Sequence, residues 1–400
     1  MVIIYKKKIS TIVISILLIG TICQIETLNG KNIDGQTKDL PTPPVTHLFP
    51  YRQVLKPNDE GSHQSERFIT QEWWYFNAFL NGPDSELRNW SLMISFNQMG
   101  VADMFFMTLY DDKNNSYGGS AVHLSGKIQS GGPGVKVEYR NSFATGTYPK
   151  WHVYTEDANL DERNITANLT YKANSLPLWL LFNTGHNLKL SPAGHYCMLN
   201  CEVTGEIKID ETVYYVSGVG YHEHSWFKIL SNEQKQIDIK QIGQEQFGYQ
   251  DSIDAWDWFC IHFENGWDMF AGKFFQGSPF AKFMPGNLWI TPDGENITEC
   301  SFFSFEYLET VESSLPPIEI PTKIRIRAIF FNTLITSPLE GLVRLDITIK
   351  TKNIHEFIWG YPPQYGMWEG PCEISGTIKW KGNTVKLNGW SIMEFTRKTP

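Results

Sequence analysis

The chain carries one pattern twice, 171 residues apart: Cys201-Glu202-Val203-Thr204-Gly205-Glu206-Ile207-Lys208 returns as Cys372-Glu373-Ile374-Ser375-Gly376-Thr377-Ile378-Lys379. At the same spacing Gly218 meets Gly389 and Glu223 meets Glu394. The front of each half also matches, with Trp74-Tyr75, Phe79 and Asn81-Gly82 answering to Trp258-Phe259, Phe263 and Asn265-Gly266. A repeat of this length is one structural unit used twice, so the fold must be divisible into two similar bodies. The matches place those bodies at residues 71–230 and 254–400, with a connector at 231–253.

The local pattern says what each body is made of. Ile165-Thr166-Ala167-Asn168-Leu169-Thr170-Tyr171, Ile324 to Phe330 and Val343 to Ile349 alternate apolar and polar residues. That period of two belongs to half-buried antiparallel strands, and Asn-Gly, Gly-Gly and Pro-Gly turn signals separate the runs. Only Ser231 to Gln246, rich in Gln and Lys, suits a helix. The expectation is an all-β protein. A unit of about 150 residues is the size of one small barrel, and closure removes exposed sheet edges.

Lys6-Lys7-Lys8 precede an apolar run from Ile9 to Cys23. Such a segment is too short to span a bilayer and reads as a secretory signal over residues 1–30, with an uncleaved membrane anchor as the alternative. Residues 31–70, with Pro41-Thr42-Pro43-Pro44, hold no period and are expected as an extended arm. A secreted or extracytoplasmic glycoprotein follows as the expectation, with sequons at Asn89, Asn114, Asn164, Asn168 and Asn296. The formal charge of −9 becomes more negative once the three lysines leave, which argues against nucleic acid as a partner. Beyond Cys23 five cysteines remain, so two disulfides at most can form, and the absence of Cys-x-x-Cys argues against a structural zinc site.

Chemistry concentrates at Gly218-Val219-Gly220-Tyr221-His222-Glu223-His224-Ser225-Trp226. In a strand, His222, His224 and Trp226 share one face and Tyr221, Glu223 and Ser225 the other. The second copy keeps Gly389 and Glu394 but has Ile392, Met393 and Phe395 where the first has Tyr221, His222 and His224. The glutamate therefore reads as scaffold, and the histidines as a feature of one barrel only.

The same residues carry a resemblance. Glu72-Trp73-Trp74-Tyr75-Phe76 after Gly61-Ser62-His63, the 218–226 segment, Trp256-Asp257-Trp258-Phe259 with Asn265-Gly266, and Trp368-Glu369-Gly370 with residues 389–396 resemble the tandem lipocalin-like family of carotenoid 1,2-hydratase (hydroxyneurosporene synthase). Kievitone hydratase and lipocalin-like Diels–Alderases are similar. Two positions depart from the family pattern: Glu223 stands where Asp is usual, and Phe227 where Gly commonly follows the Trp. The resemblance implies two tandem lipocalin-like antiparallel β-barrels packed together. It also implies a histidine, a tryptophan and an acid in a cavity.

Adding water to an isolated alkene needs an acid able to protonate carbon, aromatic faces to stabilise the cation, and a base for the incoming water. Catalytic candidates are His224, Trp226, His222 and, as the acid, Asp254, with Glu72, Glu223 and Glu369 as competitors. Asp254 and Trp256 are two apart and so same-faced in a regular strand. Tyr221, Glu223, Trp256, Trp74, Trp368 and Glu369 are the candidate substrate-binding residues, although the buried tryptophans and Glu369 equally suit packing. No metal and no cofactor is expected, because His222 and His224 lack a third ligand at helpful spacing. The function expected is a hydratase or isomerase acting on an apolar unsaturated small molecule. A non-catalytic carrier is the alternative, and a surface protein that binds partners is a weaker third.

Overall fold

The computed structural model describes residues 55–64, 71–82, 89–99, 102–111, 113, 115–156, 164–179, 194–227, 253–276, 287–295, 297–300, 303–314, 317–331, 342–352, 358–360, 365–380 and 382–398. The expected signal, most of the arm and the helix expected over 231–246 lie outside these residues. The described residues are all-β, as expected, apart from one helical turn, α1 (Pro57–Glu60).

The first body runs β1 (Gln71–Leu80), β2 (Trp90–Gln98), β3 (Ala102–Tyr110), β4 (Ser116–Leu124), β5 (Ile128–Ser130), β6 (Val135–Tyr139), β7 (Ser142–Thr147), β8 (Lys150–Thr155), β9 (Ile165–Ala173), β10 (Leu178–Trp179), β11 (Gly194–Ile209) and β12 (Thr212–Phe227). These form one antiparallel sheet in the order β4-β3-β2-β1-β12-β11-β9-β8-β7-β6-β5, with β10 beside β11. The sheet curls until its far strands meet: Asp103 on β3 accepts the backbone N–H of Lys127 and Ile128 at the start of β5. The second body runs β13 (Ile253–Phe263), β14 (Asp268–Gln276), β15 (Asn287–Thr291), β16 (Thr298–Cys300), β17 (Phe303–Ser314), β18 (Pro317–Phe331), β19 (Leu342–Thr351), β20 (Ile358–Gly360), β21 (Tyr365–Trp380) and β22 (Asn383–Lys398). Its order, β16-β15-β14-β13-β22-β21-β19-β18-β17, repeats the first around a central long hairpin.

Burial explains two kinds of strand. β9 alternates buried and half-buried residues because one face meets solvent. β1 is buried along almost its whole length, because one face looks into the first barrel and the other onto the second body. Trp74, Phe76, Ala78 and Leu80 belong to the barrel interior. Tyr75 and Phe79 join Tyr221, Trp258, Cys260, Phe270 and Ile392 in a core between the two sheets. Cys197, Cys201, Cys260, Cys300 and Cys372 are all buried, and no disulfide joins any of them.

Strand pairing corrects the repeat by one residue. Tyr75 lies opposite Glu223, and Trp258 lies opposite Glu394. Tyr75 and Trp258 are therefore equivalent, as are Trp73 and Trp256, whereas the sequence match had aligned Trp74 with Trp258. A shift of one in a strand reverses the face. Trp74 accordingly packs inside the first barrel while Trp258 packs between the bodies.

Residues 55–64 differ from the expected extended arm. Lys56 N–H donates to Asp59 Oδ2 at 2.8 Å and starts α1. Gly134 N–H donates to Pro57 O and Ser62 N–H to Gly131 O, both at 2.7 Å, pinning the segment across one end of the first barrel. Asp59, Glu60 and His63 are buried there.

Candidate functional site

β12 presents its two faces to two different places. Opposite residues of an antiparallel pair share a face, and β12 sets His222 against Phe76, His224 against Trp74 and Trp226 against Glu72. His222, His224 and Trp226 thus line the interior of the first barrel. The His224 ring stacks on Trp74 at 4.6 Å between centroids, and His222 on Phe76 at 4.2 Å. His63, from the pinned segment, stacks on Trp226 at 3.8 Å.

Inside this stack an acid meets a base. His224 Nδ1 lies 3.2 Å from the Asp59 carbonyl, which can only accept, so Nδ1 carries a proton. Its Nε2 lies 3.0 Å from Glu72 Oε1. Glu72 also accepts the His63 backbone N–H at 2.8 Å and the Ser62 hydroxyl at 3.3 Å. Burial pushes the Glu72 carboxyl up to about 7. Burial, followed by the charge of His63, pushes His224 well below its ordinary value. Both shifts favour the uncharged pair, in which a carboxylic acid donates to a neutral imidazole.

A second carboxyl stands on the same side. Glu60 accepts the Trp151 indole N–H at 2.8 Å and the Tyr148 backbone N–H at 2.9 Å, and burial lifts it to about 7. His222 donates from Nδ1 to the Tyr75 carbonyl at 2.9 Å, and burial lowers it to about 3. It is therefore neutral at physiological pH, with a lone pair on Nε2. That Nε2 and the Tyr196 hydroxyl are buried with no hydrogen-bond partner among the described residues.

The opposite face of β12 meets the second body. Tyr221 donates to Glu223, whose other oxygen accepts the Trp73 indole at 3.0 Å. His195 Nε2 lies 3.4 Å from Glu223. Burial raises the Glu223 carboxyl, but His195 and the bonds from Tyr221 and Trp73 outweigh it and hold the group below its ordinary value. In the second copy the Trp256 indole donates to Glu394 at 2.5 Å. Each repeated glutamate thus anchors the equivalent tryptophan, which explains why both copies carry it. Tyr75 donates to Glu369, and burial lifts Glu369 well above, and Glu394 to about 8.

The candidate residues therefore separate. His222, His224, Trp226 and Trp74 converge in the first barrel. Tyr221, Glu223, Trp256 and Glu369 lie between the bodies, and Trp368 is buried in the second barrel. Asp254 falls at an irregularity of β13, between the paired residues Ile253 and Ala255, and its side chain lies outside the described residues. Sequence reasoning ranked Glu72 only among several acids and missed Asp59, Glu60, His63 and Tyr196 as site residues. Glu72 stands two residues before Trp74 and so shares its face, a signal that was available. Nothing in the spacing announces that residues 59–63 fold back onto β12, about 160 residues away.

One cluster among the described residues offers ligand atoms to an ion: His63, Glu72 and His224 place one each within 4.8 Å of one another. Two imidazoles and a carboxylate suit zinc or ferrous iron.

No protein-family model and no curated protein sequence matches the chain. Solved structures do. A protein assigned as ATTH from Nitrosomonas europaea superposes with a TM-score of 0.60 at 15% identity, over 88% of this chain and 98% of that one. Kievitone hydratase from Nectria haematococca gives 0.58 at 14%, over 86% and 91%. CghA, solved with Sch210972, gives 0.52 at 11%, over 90% and 95%. These neighbours match the resemblance read from the sequence, and at such identities they establish the tandem lipocalin-like fold.

Proposed function

We propose that the chain is a lipocalin-like enzyme, a hydratase or isomerase for an apolar unsaturated small molecule, with its reaction centre inside the first barrel. The observation that supports this is the Glu72–His224 pair, 3.0 Å apart, fully buried, and walled by the rings of Trp74, Trp226 and His63. That two of the fold neighbours are a hydratase and a lipocalin-like Diels–Alderase is consistent with enzymatic use of the fold.

In the hydration reading, Glu72 gives its proton to an alkene carbon and the π pair forms the new C–H bond. The cation left on the neighbouring carbon is stabilised by the indole faces, each by roughly 0.5–2 kcal/mol. Water adds to that carbon, and its proton returns to the Glu72 carboxylate and His224 imidazole, restoring the pair. In the isomerase variant the same base removes a different proton from the cation and no water is added. Site residues in the first barrel, absence of a cofactor, and export directed by residues 6–23 all belong to this proposal.

The test is incubation of the purified chain with isoprenoid and prenylated phenolic substrates in oxygen-labelled water, with and without a chelator. Glu72→Gln and His224→Ala should each lower label incorporation by about 10²–10⁴-fold. Incorporation at the parent rate in both variants sinks the assignment. Loss of activity with a chelator, together with stoichiometric zinc or iron in the protein, replaces the shared proton by a metal centre. A bound ligand recovered chemically unchanged instead supports the carrier reading.

A further inference from the structure

Several buried polar atoms of the first barrel, the Tyr171 hydroxyl and the Trp90 indole among them, have no hydrogen-bond partner among the described residues, and two of them stand on rings beside the acid–base pair without a part in its proton chemistry. One is His222 Nε2. The ring is wholly buried, its Nδ1 proton is committed to the Tyr75 carbonyl, and stacking on Phe76 with Trp151 at 4.7 Å fixes its plane. Nε2 is therefore an acceptor with no donor among the described residues. The other is the hydroxyl of Tyr196 on β11, also wholly buried and without a partner among the described residues. Tyr196 stands edge-on to both imidazoles, 5.9 Å from His222 and 5.6 Å from His224 between ring centroids. Phenylalanine would fill the same space, so packing alone does not account for the hydroxyl.

The large majority of buried side-chain polar atoms in folded proteins are paired, because an orphan forfeits its full hydration. One acceptor and one donor, on rings whose centroids lie 5.9 Å apart beside the acid–base pair, match in kind the two hydrogen bonds that a single hydroxyl can make. An alcohol or phenol oxygen accepts from Tyr196 and donates its own proton to His222 Nε2. A hydrocarbon does neither, and an ether or carbonyl oxygen meets only Tyr196.

We propose that Tyr196 and His222 form a polar anchor for one free hydroxyl of an otherwise apolar substrate. The anchor rests on the reading that the first barrel is the ligand site, and it assigns the ligand class: an unsaturated alcohol or phenol rather than a plain hydrocarbon. His222 is then a binding residue, and the bond it forms holds the double bond against Glu72 and His224. Nothing is oxidised or transferred at the anchor.

The experiment measures binding of three matched probes to the full chain by quenching of tryptophan fluorescence: geraniol, its methyl ether, and the corresponding hydrocarbon 2,6-dimethylocta-2,6-diene. Geraniol should bind more tightly than the ether, and the ether more tightly than the hydrocarbon, by roughly tenfold at each step. Tyr196→Phe should abolish the preference for the ether over the hydrocarbon while geraniol keeps its preference over the ether. A circular-dichroism melt checks that the variant folds, and His222→Phe provides the complementary loss. Equal affinity for all three probes, which would mean that water satisfies both atoms, overturns the anchor. No saturable binding, or an unchanged ether preference in Tyr196→Phe, overturns it as well. Failure is separable from that of the proposed reaction, because intact discrimination without label incorporation leaves the anchor standing on a carrier.

Discussion

Glu60→Gln tests the electrostatics of the buried segment at one atom. The Glu60 carboxyl is wholly buried and raised by that burial from 4.5 to about 7. Its folded value thus lies above its unfolded one, so its favourable contribution is complete below pH 4.5 and is lost as the pH climbs to about 7. At about 1.4 kcal/mol for each tenfold change in proton affinity, the rise from 4.5 to about 7 makes the loss slightly more than about 3 kcal/mol by pH 8. Glutamine keeps an oxygen for the Trp151 and Tyr148 N–H groups, which both reach Oε1, and has no proton to lose. Urea unfolding of parent and variant at pH 4, 5, 6, 7 and 8 is the assay. Other raised carboxyls, such as Glu72 and Glu394, tilt both curves alike, so the difference between the curves isolates Glu60. That difference should move by about 3 kcal/mol in favour of the variant between pH 4 and pH 8. A difference that stays flat across the range would show that Glu60 ionises normally in the folded chain, and the burial argument would be refuted.

Three further outcomes follow from the same geometry. Trp226→Phe keeps a ring over His63 but weakens the face offered to a cation, so turnover should fall by roughly 2–30-fold with substrate affinity little changed, as separate kcat and KM would show. Gly218→Ala and Gly389→Ala each direct a methyl at the backbone of the neighbouring strand, 2.0 Å from Phe79 O and 2.1 Å from His262 O. Each should destabilise by about 1–3 kcal/mol in urea, alike in the two copies. Trp73→Phe leaves the buried Glu223 without its indole donor, which should raise the titration of that carboxyl and cost about 1–3 kcal/mol, measurable by unfolding at neutral pH.

The strand content, the two bodies and the division of residues 221–226 between two faces all follow from sequence, because period and repeat are local properties that survive any packing. The 171-residue spacing set Glu223 apart as scaffold, and its bond to Trp73, mirrored by Glu394 and Trp256, supplies the reason. The front motif was misaligned by one residue because tryptophans flank both choices. Identity alone does not say which of Trp73 and Trp74 looks inward.

Three matters were decided only in three dimensions. Register across β1 and β12 is set by hydrogen bonds between segments about 150 residues apart, and it alone brings Glu72 within reach of His224. The fold-back of residues 55–64, which delivers Asp59, Glu60 and His63, depends on backbone bonds to the loop at Gly131 and Gly134 that leave no periodic trace in either partner. The unsatisfied state of His222 Nε2 and the Tyr196 hydroxyl is a property of everything around them. Sequence determined which faces exist and which residues share them; packing decided what each face meets, since a contact between distant segments is a sum over the whole fold and is written in neither segment alone.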